Sequence, residues 1–198
     1  MQQAPTSRRT FWHFLSLYQP LSLRCLHILI AFLIVGQILN SNGMELTATE
    51  QLASATIPRF FTLMHTSIGL TLLALSVVLI GYCLRRRGLR YFYPYLWGDI
   101  AQLQQDIHTL LKRQLPEANP KGLATSVQGL GLGALSLVVL SGASWFVLWQ
   151  MGSPLASIVK DWHQTLTGLI EVYLIAHGGM GLLHFAVWYW QRRPRELF

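Results

Sequence analysis

Four long apolar stretches, separated by more polar segments, set the pattern of the chain. Each is long enough to cross a bilayer core of about 30 Å, which takes about 20 residues of helix. Backbone groups in lipid must be hydrogen-bonded within the segment, so helices are predicted and not strands. The predicted fold class is an all-α membrane protein, a four-transmembrane-helix bundle in one domain, residues 1–198. The predicted spans are about residues 21–39, 60–84, 127–149 and 162–190.

Lysine and arginine are distributed unevenly between the segments that flank these stretches. Only Arg59 and Lys160 belong to the first and third connections. The other thirteen of the 15 basic residues belong to the N-terminal segment, the second connection and the C-terminal segment. They are Arg8, Arg9, Arg24, Arg85, Arg86, Arg87, Arg90, Lys112, Arg113, Lys121, Arg192, Arg193 and Arg195. Because basic residues accumulate on the cytoplasmic side, both termini and the long second connection are predicted to be cytoplasmic.

The second connection contains a helical pattern of its own, "WGDIAQLQQDIHTLLKRQL" at residues 97–115. Its apolar residues recur at helical spacing, with Asp99 near the start and Pro116 after the end. An amphipathic helix is therefore predicted in the cytoplasmic connection. It would lie on the membrane surface or dock on a partner, and a surface helix without a partner is the alternative.

Composition agrees with a membrane protein. Charged residues make up 12% of the chain, about half of the roughly 25% usual in soluble domains. The net charge of +7 would suit nucleic acid. However, the basic residues stand at the ends of the apolar blocks and not on one face, so no nucleic-acid partner is predicted. The chain is expected to be surrounded by membrane lipid.

Five histidines fall inside the predicted spans, and four of them, His27, His65, His163 and His177, form pairs by depth. His163 and His177 are 14 residues apart, about 40° short of four helical turns, with a rise of about 21 Å. They therefore project from nearly one face at two depths. In the predicted orientation His27 comes early in the first helix, in the inner half, and His65 early in the second, in the outer half. Depth alone pairs His65 with His163 and His27 with His177.

Two facing imidazoles at each of two depths predict haem iron with two histidine ligands, twice. Zinc sites usually take three or four protein ligands, more than one pair supplies. The chain has no C-x-x-C-H motif, so covalent attachment is excluded and two haem b groups are predicted. The alternative is that the histidines only form hydrogen bonds between helices.

Further polar residues lie near these pairs. His184 follows His177 by two turns, as a rival inner ligand or a hydrogen-bond partner of a haem propionate or a quinone. Arg24 and Arg59, at the two membrane faces, would contact propionates or anchor the helices. Glu171, the one acidic residue within a span, would carry protons or remain a neutral acid bonded to a neighbour. The glycines of "HGGMG", 177–181, offer flat space for a macrocycle or serve helix packing.

Two segments carry a family resemblance: "WHQTLTGLIEVYLIAHGGMGLLH" and "MHTSIG" resemble the last and second helices of bacterial cytochrome b561 proteins. The long second connection is more similar to the related di-haem gamma subunits of formate dehydrogenase-N, nickel-iron hydrogenase and thiosulfate reductase. "PKGLATSVQGLG" is similar to the segment that opens the third helix and lines a quinone site in the formate dehydrogenase subunit. Gln128 matches that pattern, and Thr125 replaces an asparagine. The resemblance implies the same histidine pairing and a quinone site at Gln128 and Thr125.

The function expected from these features is electron transfer across the bacterial inner (plasma) membrane. The chain would link a periplasmic redox subunit or soluble electron carrier to the quinone pool. It would serve as the membrane anchor of a respiratory oxidoreductase. The alternatives are a stand-alone quinol oxidoreductase of the cytochrome b561 type and, from another class, a haem-free transporter or scaffold.

Overall fold

The computed structural model describes residues 10–45, 52 and 54–191. Arg8, Arg9, Arg192, Arg193 and Arg195, which entered the orientation prediction, lie outside these residues. The described part of the chain is helical, with seven α-helices and one short 3-10 helix at Pro94–Trp97. The α-helices are α1 (Phe11–Ser16), α2 (Leu21–Ser41), α3 (Thr56–Arg87), α4 (Leu89–Phe92), α5 (Ala101–Leu111), α6 (Leu123–Gln150) and α7 (Leu155–Gln191).

Helices α2, α3, α6 and α7 are each long and apolar enough to cross a membrane. They contain the four predicted spans, so the predicted all-α, four-span fold is confirmed. The largest difference is at α7, which begins at Leu155, seven residues before the predicted start. The turn before it is tight because Gly152, with φ of +63°, adopts a left-handed conformation that favours glycine.

The four long helices pack in chain order, α2 on α3, α3 on α6 and α6 on α7. Buried residues recur at helical spacing; on α2, Leu23, Ile30 and Ile34 share one face. Lipid is as apolar as leucine, so close side-chain packing holds such helices together. The buried apolar core consists of Leu23, Ile30, Ile34, Leu72, Leu79, Ala134, Leu135 and Ile170.

The predicted helix of the second connection is α5, and it is joined to the start of α6 by Asp106. The Asp106 carboxylate, only 2% exposed, accepts hydrogen bonds from the Leu123 backbone N–H at 2.7 Å and Gln102 Nε2 at 2.8 Å. It thereby satisfies a free N–H at the N-terminus of α6. A Cβ at Gly122 would collide with this carboxylate, which explains the glycine there.

Two contacts of Asp99 hold the second connection together, and one hydrogen bond of Tyr93 holds it to α6. Asp99 accepts a hydrogen bond from Lys121 Nζ at 2.6 Å and pairs with Arg90 Nε at 3.3 Å. The hydrogen bond from Lys121, with the charges of Lys121 and Arg90, lowers the pKa of Asp99. The Tyr93 hydroxyl donates to the Gly129 carbonyl at 2.7 Å, and burial raises the pKa of Tyr93. The connection is thus docked on the chain's own bundle.

Helix α1 was not predicted from the sequence. The Thr10 side chain caps it by accepting from the His13 N–H at 3.2 Å. Phe14 packs against Phe185 and Trp188 of α7, with ring centroids 5.5 Å apart in each pair. Six residues are too few to show a helical period, which is why the sequence did not predict α1. Because so short a helix is unstable alone, its contact with the end of α7 explains why it forms.

Replacing Asp106 tests the attachment of α5. We expect Asp106→Ala to lower the free energy of unfolding by about 1–3 kcal/mol, because it leaves a buried N–H without its acceptor. Thermal unfolding of the purified protein in detergent would measure this, with the exposed Gln104→Ala on the same helix as control. Equal unfolding temperatures for the two variants would show that Asp106 does not hold the connection.

Candidate functional site

Helix α7 presents two histidines, each to a histidine of another helix. His163 faces His65 of α3 with ring centroids 6.3 Å apart. His177 faces His27 of α2 at 6.0 Å. We call His65 and His163 the outer pair and His27 and His177 the inner pair, after the orientation predicted from the basic residues. All four side chains are half-buried. The structure therefore brings together the same two pairs, at two depths along α7, that the spacing predicted.

The spacing of the rings within each pair suits one metal atom between them. Two metal–imidazole bonds of about 2 Å each, with the distance from each nitrogen to its ring centre, span about 6 Å. Within the described residues, no group of three or more His, Cys, Asp and Glu comes together. A zinc site with three or four protein ligands is therefore not formed by this part of the chain.

A cavity of about 540 Å³ adjoins the outer pair. This volume is within the range of about 300–1,000 Å³ typical of small-molecule sites. Residues of α2, α3, α6 and α7 line it, mostly with apolar side chains around His65 and His163. Its polar lining includes Gln37, Lys160 and Glu171. An apolar cavity between two imidazoles fits a flat macrocycle whose iron they hold.

The outer histidines are positioned by neighbouring helices. Gln37 of α2 donates to the His65 backbone carbonyl at 2.7 Å, which fixes the depth of α3 against α2. A Cβ at Gly69 would lie 3.3 Å from the Gln37 amide. On α6, a Cβ at Gly142 would lie 2.9 Å from Cε1 of His163, closer than side chains normally approach. Glycine at position 142 therefore lets the His163 ring approach α6.

The inner pair is supported by an aromatic ring that sequence reasoning missed. Tyr173 stacks on His177, with centroids 5.1 Å apart and planes within 10°. Tyr173 in turn fits against Gly131 of α6, where a Cβ would collide with its phenol. A tyrosine in a membrane helix is unremarkable alone; its position four residues before His177 is the one signal in the sequence. At each of the three glycines of "HGGMG", Gly178, Gly179 and Gly181, an added Cβ would have no neighbour within 4 Å among the described residues.

His184 lies between two backbone carbonyls. Its Nδ1 is 2.9 Å from the Met180 oxygen, and its Nε2 is 3.3 Å from the Pro116 oxygen. A neutral imidazole has a single N–H, so the ring donates to one of these carbonyls, and its approach to Pro116 places it between α7 and the second connection. His177, which faces His27, has the geometry expected of the inner ligand.

The candidate propionate contacts differ in their surroundings. Arg24 is buried, donates to the Trp12 carbonyl at 2.9 Å and lies 4.5 Å over the Trp12 ring. Among the described residues, its Nε has no hydrogen-bond partner. Arg59 is exposed near the start of α3. Lys160, which the sequence reasoning treated only as a topology signal, lines the outer cavity.

The candidate quinone residues lie in the first turns of α6. Thr125 is buried, and its hydroxyl donates to the Gly122 carbonyl at 3.0 Å. Gln128 is half-buried.

These features describe an integral membrane protein whose four-helix bundle holds imidazole pairs suited to iron. The family model for prokaryotic cytochrome b561 matches residues 18–191, nearly the whole chain. The chain belongs to this family. Neither the curated proteins nor the solved structures gave a match to it. The protein is therefore a multi-pass transmembrane cytochrome that binds haem b and transfers electrons.

Adding a methyl group at Gly142 tests the outer cavity. We expect Gly142→Ala to lower haem content, because the new Cβ would push against the His163 ring. Gly36→Ala, where a Cβ meets nothing within 4 Å, is the control. Haem per chain, measured on the purified variants, is the readout. Full haem content in Gly142→Ala would mean that the ring does not need this close approach.

Proposed function

We propose that this cytochrome holds two haem b groups. One lies between His65 and His163, the other between His27 and His177. The observation that carries the proposal is the pair of centroid distances, 6.3 and 6.0 Å, in a family that binds haem b. Because His163 and His177 are 14 residues apart on one helix, the two sites differ in depth by about 21 Å. That separation distributes them across most of the bilayer core.

When bound, each haem would accept and release one electron at its iron. The two imidazoles of each pair would hold this iron, so the chemistry expected at the site is electron transfer and not the binding of a substrate or oxygen. The surrounding apolar residues keep water from the site and disfavour charge there.

The orientation that we propose puts both termini and the second connection in the cytoplasm of a bacterium, with the protein in the inner membrane. The distribution of basic residues supports it, since Arg85, Arg86 and Arg87 end α3 on the same side as Lys121 before α6. His65 and His163 are then the periplasmic pair. His27 and His177 are the cytoplasmic pair.

We propose that electrons pass between a periplasmic redox partner at the outer pair and the quinone pool at the inner pair. Gln128 and Thr125 are the proposed quinone contacts, by resemblance. Because the buried Thr125 hydroxyl already donates to the Gly122 carbonyl, the Gln128 side chain is the one available to bind a quinone. His184 would hydrogen-bond a propionate or a quinone oxygen in place of one of the two backbone carbonyls that it now faces. The protein would serve as the membrane anchor of a respiratory oxidoreductase. If it purifies without a periplasmic subunit, the stand-alone quinol oxidoreductase takes the place of the anchor.

Basic residues would hold the haem propionates. Arg24 stands three residues before His27, about one helical turn, and its buried Nε has no partner in the described part of the chain. Lys160 stands in the same relation to His163 and lines the outer cavity. Arg59 approaches the same end of the bundle from α3. Glu171 lines the outer cavity as well, where it would carry protons or remain neutral.

Single histidine replacements test the two sites separately. We expect His65→Ala and His163→Ala each to lose the outer haem and keep the inner one. A short-chain quinol should still reduce the inner haem in both variants. His27→Ala and His177→Ala should lose the inner haem and with it rapid reduction by quinol. Absorption spectra with haem quantified per chain, and stopped-flow reduction, provide the readouts.

The exposed His108→Ala is the control for these variants. Two haems retained in any of the four, or both lost from each, would contradict the pairing. Reduction of the His177→Ala protein by quinol at the normal rate would contradict the inner position of the quinone site.

A further inference from the structure

The ring of His163 is held by a hydroxyl group of the neighbouring helix. Ser141 Oγ of α6 lies 3.1 Å from His163 Nδ1. The same hydroxyl donates to the Val138 carbonyl at 2.9 Å. A serine hydroxyl has a single proton, and we assign it to the bond with the Val138 oxygen, which can only accept. The hydroxyl then offers a lone pair to the His163 ring.

This arrangement determines which nitrogen of His163 carries the proton. Facing a lone pair, Nδ1 must be the N–H donor, so in the neutral ring Nε2 is the unprotonated nitrogen. Nε2 is the nitrogen left to bind a metal.

Ser141 and Gly142 act on the ring together. Gly142 removes the side chain that would meet Cε1 of His163 at 2.9 Å, and Ser141 provides the acceptor for the adjacent nitrogen. One pair of consecutive residues on α6 therefore determines both how close the ring comes and how it is rotated. Gly142 and His163 also both line the outer cavity, so this contact forms part of its wall.

The partner histidine of the outer pair lacks such support. His65 Nδ1 is buried and, among the described residues, makes no hydrogen bond. Gln37 positions His65 through its backbone carbonyl and not through its ring. The outer pair is therefore asymmetric, with the hydrogen bond to a ring nitrogen on the His163 side.

We propose that Ser141 is a positioning residue for the outer haem. It fixes the Nδ1–H tautomer of His163, aims Nε2 toward His65 and makes the imidazole a stronger donor to iron. The inference rests on the proposed function, because it requires His163 to be a ligand. Hydrogen bonds from a ligating histidine to a second group orient the ring and increase its basicity. A stronger donor stabilises ferric over ferrous iron and so lowers the midpoint potential.

The experiment uses the full chain with His27→Ala, so that only the outer haem is present. Ser141→Ala in this background is compared with the unchanged serine by haem transfer to an excess of a haem-scavenging protein. The expected result is a loss of haem affinity of about 10- to 100-fold, as for other groups that hydrogen-bond metal ligands. Redox titration should show a higher midpoint potential. A tenfold greater loss in the ferric than in the ferrous state corresponds to about 59 mV.

Two further variants separate the hydrogen bond from packing. Ser141→Thr keeps a hydroxyl and should restore both affinity and potential. Ser136→Ala removes a hydroxyl that donates to its own helix at the Leu132 carbonyl, at 2.7 Å, and should change neither. The low-spin electron paramagnetic resonance signal of the outer haem should shift in Ser141→Ala and return in Ser141→Thr.

The outcomes distinguish a failure of the proposed role of Ser141 from a failure of the proposed di-haem function. Unchanged affinity and potential in Ser141→Ala, with the outer haem present, would overturn the role of Ser141 and leave the di-haem proposal intact. A loss in Ser141→Ala that threonine does not restore would also overturn it, since packing alone would then explain the loss. If the His27→Ala protein holds no haem even with Ser141 present, the ligand assignment itself is wrong and the role of Ser141 fails with it.

Discussion

An imidazole within the hydrocarbon of a membrane needs a partner, and this need organises the whole bundle. Helix α7 carries two such rings, and each must meet another histidine at its own depth. The contact between His177 and His27 brings α2 close to the C-terminal half of α7. The contact between His163 and His65 brings α3 close to the N-terminal part of α7. Gln37, which joins α2 to α3 at the His65 carbonyl, keeps the two helices in the register that both pairs require. A shift of one helical turn, about 5.4 Å, would separate the rings of a pair.

Helix α6 has no histidine, yet it supports both sites. Gly131 and Gly142 are 11 residues apart, close to three full turns, so they lie on nearly one face. Gly142 accommodates the His163 ring and Gly131 accommodates Tyr173, which stacks on His177. Because α6 and α7 run antiparallel, the two glycines meet the two rings in reverse order. Small residues thus serve ring placement here as well as the helix packing usual in membranes.

The sequence allowed the four spans, the helix of the second connection and the depth pairing of the histidines to be predicted. Each depends on a periodicity or a count along one helix. The lateral contacts were not predictable in the same way. Tyr173 and Ser141 are ordinary residues of apolar helices until α6 and α7 are placed side by side.

Short or buried polar elements escaped the sequence reasoning for a related reason. Asp106 reads as a polar residue of an amphipathic helix, yet it is buried against the first N–H of α6. Helix α1 has only six residues, and its aromatic contacts are with the far end of the chain. Both depend on tertiary neighbours that no local pattern contains.

The most direct test of the central claim is the number of haems per chain. Oxidised and dithionite-reduced absorption spectra of the purified protein would be recorded, with haem quantified against protein. Two low-spin b haems per chain are predicted, because each of the two imidazole pairs would supply both protein ligands of one iron. A single haem per chain, or none after expression with haem supplied, would contradict the account.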